Sequence, residues 1–259
     1  MRKPFQYSIF LPAVIALAFA VSPAAQTPTD QVAPPVAQSA APQQSFGAPI
    51  IVLNPAHGGT DPGARGENGL AEKDIVLEYA QAVRAALEGA GYRVLMTRSD
   101  DSNPSYDDRD AVANAHHDAI YLSLHVASTG AAGTARTYYY QFWTPFPAAT
   151  PAPQTAAAPP RAGLTEWEEA QRPYADRSRL LADLMQAQLA QTFSGSPATA
   201  AGGEVRELRS VTAPAIAIEI SSVAMKDESA LRAFEAPLST CIVRTLEAFR
   251  PANAAGGNQ

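Results

Sequence analysis

The chain has 259 residues, a formal net charge of −6 and 46% hydrophobic residues, so most of it is expected to fold around one sizeable core. It contains no basic block or stripe, which argues against nucleic acid as a partner. The only cysteine, Cys241, excludes an internal disulfide, and its helical context predicts a small buried residue.

The N-terminal segment has the pattern of an export signal followed by a tether. Arg2 and Lys3 precede a short apolar run and then small residues, which predicts a secretory signal peptide over 1–25. Export across the inner membrane, to the periplasm or the cell wall, would follow; an uncleaved membrane anchor is the alternative. Residues 26–47 are rich in Pro, Ala, Gln and Ser and predict a disordered linker.

Strands and helices alternate along the folded part of the chain. Strand patterns occur at 50–53, 93–97, 119–124, 137–142, 205–208 and 215–220, and helical patterns at 74–90, 105–116, 165–189 and 227–249. The alternation predicts one α/β domain over 48–251, with a mostly parallel or mixed twisted sheet of about six strands and helices on both faces. Pro237 is expected to interrupt the last helix, and 252–259 to form a disordered tail.

Polar residues lie near the carboxyl ends of three predicted strands, where ligands bind in α/β sheets. His57 follows the first strand, His125 follows the third, and Glu219 lies near the end of the last. Together with Glu72, just before the first long helix, these residues suit a catalytic zinc held by two histidines and a carboxylate, with Glu219 as the proton carrier. The glycines at 58 and 59 are expected to leave room for the ion and a substrate.

The same residues also have ordinary structural explanations. The compact H-E-x-x-H zinc motif is absent. The residues alone therefore do not decide between a metal site and ordinary histidines of the core or of loops. Taken alone, Glu72 fits a negative charge favoured at a helix start. His116 and His117 end a predicted helix, where cations are favoured, and we interpret them as structural.

From residue 50 to about residue 249 the chain resembles the zinc-dependent N-acetylmuramoyl-L-alanine amidases, the amidase-3 group of cell-wall hydrolases. The resemblance rests on four signatures in family order: IVLNPAHGG with DPGA (51–59 and 61–64), EK (72–73), SLH (123–125) and PAIAIEI (214–220). It implies that His57, Glu72 and His125 bind one Zn²⁺ ion and that Glu219 is the catalytic base. The implied reaction is hydrolysis of the amide between N-acetylmuramic acid and L-alanine in peptidoglycan or muropeptides, and we expect a monomer.

Several positions depart from the usual family pattern. Asn54 and Ala56 stand where the family usually has Asp and Gly, and Ser221-Ser222 stands where it has Gly-Phe. None of the four reactive positions is lost, so the departures bear on substrate preference and rate more than on reaction type. The candidate substrate-binding residues are Arg109, Asn114 and Ser128.

A Pro/Ala-rich insert at 144–163 lies between a strand and a helix, where some relatives carry a regulatory segment. A carboxylate from the following helical pattern could occlude the zinc until a protein activator acting on 144–172 withdraws it; the candidates are Glu166, Glu168 and Glu169. The alternative is a solvated acidic face with Trp167 packed against the domain.

Two other functions stay open at this point. One is a peptidoglycan-binding or regulatory module of the same fold with little turnover, and the other is a zinc peptidase acting on proteins. All four reactive residues are retained, which favours the hydrolase over the binding module, because a binding module has no need of a buried base.

Overall fold

The structure, a computed structural model, describes residues 49–66, 69–142, 167–222 and 228–249. The predicted signal peptide, linker, insert and C-terminal tail lie outside these residues, so their boundaries stay predictions. No helix within the described ranges is long and apolar enough to cross a membrane.

The described chain folds into strands and helices that alternate. The strands are β1 (Ile50–Pro55), β2 (Arg93–Met96), β3 (Ala119–Ala127), β4 (Thr134–Tyr140), β5 (Ala201–Gly203) and β6 (Ala215–Ser221). The α-helices are α1 (Glu72–Gly89), α2 (Tyr106–Asn114), α3 (Ala175–Thr192), α4 (Glu228–Arg232) and α5 (Glu235–Phe249). Short 3₁₀ turns cover Trp167–Glu169, Arg172–Tyr174 and Arg206–Leu208.

The six strands form one mixed sheet in the order β2-β1-β3-β6-β4-β5. Strands β2, β1, β3 and β6 run parallel to one another, whereas β4 is antiparallel to β6 and parallel to β5. This confirms the predicted mixed α/β sheet. The carboxyl ends of β1, β3 and β6 therefore meet at one edge of the sheet, which is where the candidate residues lie.

Side chains of the central strands alternate between two cores. Ile51, Leu122 and Ile218 belong to the larger core, which also contains the apolar faces of α1, α3 and α5. Val52 and Tyr121 belong to the smaller core on the other face of the sheet, with Ala113 of α2. Because side chains alternate along a strand, His125 and Glu219 lie on the same face as this smaller core.

Several predicted elements differ from the structure, and two of them bear on the candidate site. The strand predicted at 205–208 is wrong: these residues include the 3₁₀ turn Arg206–Leu208, in which Leu208 is fully buried in the smaller core. The apolar residues Val205 and Leu208 are three positions apart, which a single turn satisfies as well as a strand does. Strand β3 extends to Ala127, so His125 lies inside the strand instead of after it.

Two other predictions about local structure are confirmed, and the structure adds a capping box at the start of α2. The last helical region is interrupted, since α4 ends at Arg232 and α5 begins at Glu235 with Pro237 in its first turn, where no backbone N–H is needed. Cys241 is buried, with 2% of its surface exposed. Helix α2 begins at a capping box, in which Ser105 and Asp108 each bond the backbone N–H of the other.

Asp110 in α2 gives the folded protein a distinct pH dependence. The residue has no exposed surface, Ser210 Oγ donates to its Oδ2 at 2.5 Å, and its Oδ1 has no hydrogen-bond partner among the described residues. Burial raises the pKa of Asp110 to about 6 from 3.8, although the Ser210 hydrogen bond opposes the rise.

Because the folded pKa lies above the unfolded one, the stabilising effect of the Asp110 proton is complete below about pH 4 and is lost as the pH rises through about 6. We expect the free energy of unfolding of the wild type, minus that of Asp110→Asn, to fall by about 2 to 3 kcal/mol between pH 4 and pH 8. Denaturant unfolding of both proteins with chelator present would measure this. A difference independent of pH would contradict the expectation.

Candidate metal centre and active site

Three predicted ligand residues converge at the carboxyl edge of the sheet. One ligand atom each from His57, Glu72 and His125 lies within 4.8 Å of the other two. His57 Nε2 is 3.1 Å from Glu72 Oε2, and His125 Nδ1 is 3.0 Å from Glu72 Oε1. Two ligands of a tetrahedral ion at about 2.1 Å lie about 3.4 Å apart, so these spacings fit a single small cation.

Glu72 is the central carboxylate of this cluster. It lies in the first turn of α1 with 4% of its surface exposed. Its Oε2 accepts from the backbone N–H of Ala64 at 2.8 Å, and its Oε1 from that of Val126 at 3.0 Å. Burial favours the neutral acid, but the hydrogen bonds from His125, His57 and Ala64 hold the pKa of Glu72 well below its usual value. The side chain is therefore an anion with both oxygens fixed in place.

Each histidine of the cluster also faces a second carboxylate. His57 Nδ1 is 2.8 Å from Asp61 Oδ2, and His125 Nε2 is 2.7 Å from Glu207 Oε1. The side chains thus form an alternating row of carboxylates and imidazoles: Asp61, His57, Glu72, His125, Glu207. Asp61 is half exposed, with 50% of its side chain accessible, whereas Glu207 is buried.

These carboxylates shift the pKa of both imidazoles. The hydrogen bond to Glu72 raises the pKa of His57, and Asp61 raises it further against the effect of burial. Burial lowers the pKa of His125, but the charge and hydrogen bond of Glu207, together with Glu72, raise it to about 10. Without a metal both imidazoles therefore hold protons more tightly than usual, and a bound cation replaces those protons.

Sequence reasoning missed both outer carboxylates. Asp61 begins the DPGA signature, from which no role for it was predicted, and Glu207 lies in the stretch wrongly predicted as a strand. No spacing in the sequence links Glu207 to His125, which is 82 residues away. An i,i+4 relation between His57 and Asp61 was the one available local signal.

Two arginines hold the loop that follows β1. Arg98 Nε and Arg109 Nη1 both donate to the carbonyl oxygen of Pro55, at 2.8 and 2.9 Å. Arg98 Nη2 donates to the carbonyl oxygen of Ala56 at 2.8 Å, and Arg109 Nη2 to that of His57 at 2.7 Å. His57 has a φ of +61°, which costs a residue other than glycine about 1 to 3 kcal/mol. The guanidinium contacts offset this strain and aim the imidazole at Glu72.

Two of the three candidate substrate-binding residues have other roles. Arg109 uses all its N–H donors within the protein, on oxygens of Asn54, Pro55, His57, Asn103 and Pro104. Asn114 donates to Ser210 O and accepts from Thr212, so it holds the loop before β6. The guanidinium N–H groups of Arg109 are thus used within the protein, although its side chain lines the cavity beside the ligands. The substrate-binding role of Arg109 and Asn114 stays a prediction. Ser128 is exposed just beyond β3, and its role stays a prediction.

Asn54, one of the departures from the family pattern, lies at the centre of a hydrogen-bond network behind the ligands. Its Oδ1 accepts from Thr97 Oγ1 and from Arg109 Nη1, both at 2.7 Å, and its Nδ2 donates to Ser123 Oγ at 2.9 Å. An amide at this position thus keeps the acceptor that an aspartate would offer and adds a donor. The departure leaves the support of the site intact.

Glu219 lies one strand away from the ligand cluster. It pairs in register with His125 across the parallel strands β3 and β6, so both side chains leave the same face of the sheet from backbones about 4.8 Å apart. Glu219 is partly exposed, and Tyr138 donates its O–H to Glu219 Oε1 at 3.4 Å. A cavity of about 240 Å³ opens beside the ligands, with Asn103, Tyr106 and Glu207 in its lining.

The expectation that the two glycines after His57 make room for an ion is wrong. A side chain at Gly58 would run into the backbone oxygen of Ser102, and one at Gly59 would meet Asn103 at 3.4 Å. Gly58 therefore admits the loop that follows β2, whereas a Cβ at Gly59 would make only an ordinary van der Waals contact with that loop. Gly63 is the glycine beside the ligands: a Cβ there would lie 2.5 Å from Glu72 Oε2 and 2.6 Å from His57 Cδ2.

Gly63→Ala is accordingly expected to weaken Zn²⁺ binding by about tenfold or more, because the new methyl group displaces two of the three ligand side chains. Competition with a chromophoric chelator would measure the affinity. Gly91→Ala is the matched control: Gly91 also has a positive φ, +84° against +63°, but a Cβ there meets nothing within 4 Å. Equal Zn²⁺ affinity in both variants would show that crowding at Gly63 is unimportant.

The acidic segment before α3 is described from Trp167 onward. Trp167 is 51% exposed, so the expectation that it packs against the domain is wrong. Glu169 bonds Arg172, and Glu168 lies 3.7 Å from Arg209. Neither carboxylate belongs to the metal-ligand cluster found among the described residues. Glu166 lies outside the described residues, and occlusion of the metal by this segment stays a prediction.

The sequence profile of the N-acetylmuramoyl-L-alanine amidases, Amidase_3, matches residues 51–237. The chain is 39% identical over 106 residues to the N-acetylmuramoyl-L-alanine amidase AmiC of Neisseria meningitidis serogroup B, a match that covers 38% of this chain and 26% of the relative. It is 40% identical over 83 residues to AmiA of Escherichia coli K12, which covers 32% of this chain and 29% of the relative. The matched region thus spans less than a third of the length of either relative.

Solved structures share the fold. The amidase AmiC2 of Nostoc punctiforme superposes with a TM-score of 0.56 at 21% identity, over 78% of this chain and 97% of that chain. The CwlD amidase of Clostridioides difficile, solved in complex with the GerS lipoprotein, gives a TM-score of 0.57 at 18% identity, over 78% and 98% of the two chains. With the profile match over residues 51–237, these findings show that the chain belongs to the N-acetylmuramoyl-L-alanine amidase family.

Proposed function

We propose that the protein hydrolyses the amide bond between N-acetylmuramic acid and L-alanine in peptidoglycan, releasing stem peptides in cell-wall remodelling or daughter-cell separation. The observation that carries the proposal is the convergence of His57, Glu72 and His125 in a chain of the amidase family. The names of the relatives state this activity for those proteins.

The proposed cofactor is one Zn²⁺ ion bound by His57, Glu72 and His125. Two imidazole nitrogens and one carboxylate form a donor set that suits catalytic zinc, whereas Ca²⁺ and Mg²⁺ prefer oxygen ligands alone. The spacing of the donor atoms and the missing side chain at Gly63 fit an ion of this size. When bound, Zn²⁺ lowers the pKa of a water ligand and polarises the substrate carbonyl.

Glu219 is the proposed general base. Its carboxylate takes a proton from the attacking water, whose oxygen bonds to the lactyl carbonyl carbon of the substrate. The same proton then passes to the alanine nitrogen as the carbon–nitrogen bond breaks, so atoms and charges balance. The position of Glu219 beside His125, and the O–H group of Tyr138 on its Oε1, support this role.

The cavity next to the ligands is the proposed place for the part of the substrate that flanks the scissile amide. Its volume of about 240 Å³ is small for a whole disaccharide–peptide, so most of the substrate would lie along the open surface. Tyr106 lines this cavity and is 45% exposed, while Ser128 lies beyond the end of β3. Both are proposed to contact the flanking groups.

We further propose that the protein acts outside the inner membrane as a monomer and that an activator protein acts on residues 144–172. The precedent for a protein partner is the CwlD structure, which contains the GerS lipoprotein. Near this segment's end, Glu168 is exposed and accessible to such a partner, whereas Glu169 is partly buried.

The test is to incubate the purified, Zn²⁺-loaded chain with muropeptides and to identify the products by mass spectrometry. Release of intact stem peptide with a free L-alanine amino group would support the proposal, and Glu219→Gln is the control for turnover. Binding of muropeptides without cleavage would instead favour a binding module. Cleavage between residues of the stem peptide would favour a peptidase, and either result would overturn the proposed activity.

A further inference from the structure

The carboxylate of Glu207 is a buried charge that the proposed mechanism leaves unused. It is 7% exposed, and its Oε1 lies 2.7 Å from His125 Nε2. Burial of a carboxylate destabilises the folded state unless a partner compensates for the lost hydration, and His125 is that partner for Glu207. We propose that Glu207 is a positioning residue, which accepts the Nε2–H of His125 and thereby aims the Nδ1 lone pair of that imidazole at the metal. The inference rests on the proposed metal site.

The geometry selects one tautomer of His125. A neutral imidazole carries one N–H, and either ring nitrogen can bear it. Ionised Glu207 only accepts hydrogen bonds, so the ring nitrogen that faces it must be the donor. The other nitrogen, Nδ1, then has a free lone pair on the side of Glu72, which is the side of the ligand cluster. Ser123 Oγ, 3.3 Å from Nε2, can donate or accept and therefore selects neither tautomer.

The surrounding structure holds Glu207 rigidly. Its 3₁₀ turn, Arg206–Leu208, is anchored by Leu208, which has no exposed surface. The backbone N–H of Leu208 bonds Val205 O at 3.0 Å, which closes the turn. A carboxylate presented from such a turn keeps one orientation, as a group that orients a metal ligand must.

Asp61 provides an internal comparison. It bonds the outer nitrogen of His57 at 2.8 Å, much as Glu207 bonds that of His125. Half of the Asp61 side chain is exposed, so water competes for the hydrogen bond and screens the charge. The orienting effect of Glu207 should therefore exceed that of Asp61.

A purely structural ion pair between Glu207 and His125 would affect stability but would not select the nitrogen that binds metal. The decisive variant is Glu207→Gln, which keeps the shape and removes the charge. Its matched control is Glu204→Gln, the same change at an exposed position three residues earlier. Chelator competition on the full chain is expected to show about 10- to 100-fold weaker Zn²⁺ binding for Glu207→Gln, a smaller loss for Asp61→Asn, and none for Glu204→Gln.

Nitrogen NMR of the ¹⁵N-histidine-labelled wild type with Zn²⁺ gives a second readout that needs no variant. We expect the metal on Nδ1 of His125 and the proton on Nε2. The opposite assignment, or equal Zn²⁺ affinity in Glu207→Gln and Glu204→Gln, would overturn the inference while leaving the metal site standing. A wild type that takes up no Zn²⁺ would overturn the proposed function together with this inference.

Discussion

Glu219→Gln is expected to lower kcat for muropeptide cleavage by about 10² to 10⁴-fold and to leave the Zn²⁺ content unchanged. The substitution keeps the size and polarity of the side chain but replaces the carboxylate, which accepts a proton, with an amide, which does not. Glu219 is outside the ligand cluster formed by the described residues, so metal affinity has no reason to change. Steady-state kinetics on a purified muropeptide, with metal analysis of the same samples, would separate the two quantities.

Tyr138→Phe is the control that keeps the carboxylate and removes only its neighbouring hydroxyl. The hydrogen bond from Tyr138 to Glu219 is 3.4 Å long, which is weak, so less than about a tenfold loss of kcat is expected. If Glu219→Gln instead loses its Zn²⁺, the side chain is a ligand and the assignment of the base is wrong. Unchanged turnover in Glu219→Gln would remove Glu219 from the mechanism.

The main architecture of the site was predictable because it follows from short, local patterns. The continuous apolar runs of β1, β3 and β6 are typical of strands covered on both faces, and all three are central in the sheet. Parallel central strands bring their carboxyl ends to one edge, so His57 and His125 were expected close together. Their actual convergence with Glu72 depends on α1 starting at that same edge.

The residues that support the ligands were not predictable from local patterns. Glu207 reaches His125 only because the turn before β6 packs under the sheet, and nothing in the stretch VREL distinguishes a turn from a strand. Arg109 was predicted only as a candidate substrate-binding residue, because its hydrogen bonds go to carbonyl groups about 50 residues earlier in the chain. Gly63 matters because of two side chains that fold back over it, which only the three-dimensional structure shows.

His57→Ala is expected to abolish stoichiometric Zn²⁺ binding, and muropeptide cleavage with it. The variant removes one of three protein ligands and leaves Glu72 and His125, which is too few for a stable catalytic zinc site. His57 is the better ligand to remove, because its outer partner Asp61 is half exposed. Water can solvate the Asp61 carboxylate once the imidazole is gone, so the folded state loses little stability there. His125→Ala would also leave the buried carboxylate of Glu207 without its partner and would confound metal loss with unfolding.

Thermal unfolding with and without Zn²⁺ measures the effect without relying on activity. A ligand at about a thousand times its Kd stabilises the native state by about 4 kcal/mol, so the wild type should gain several degrees in Tm, whereas His57→Ala should gain almost none. His117→Ala is the matched control, since His117 is exposed and lies outside the ligand cluster formed by the described residues. A Zn²⁺-dependent rise in Tm that survives in His57→Ala would place the ion elsewhere, because the three-ligand site requires this imidazole.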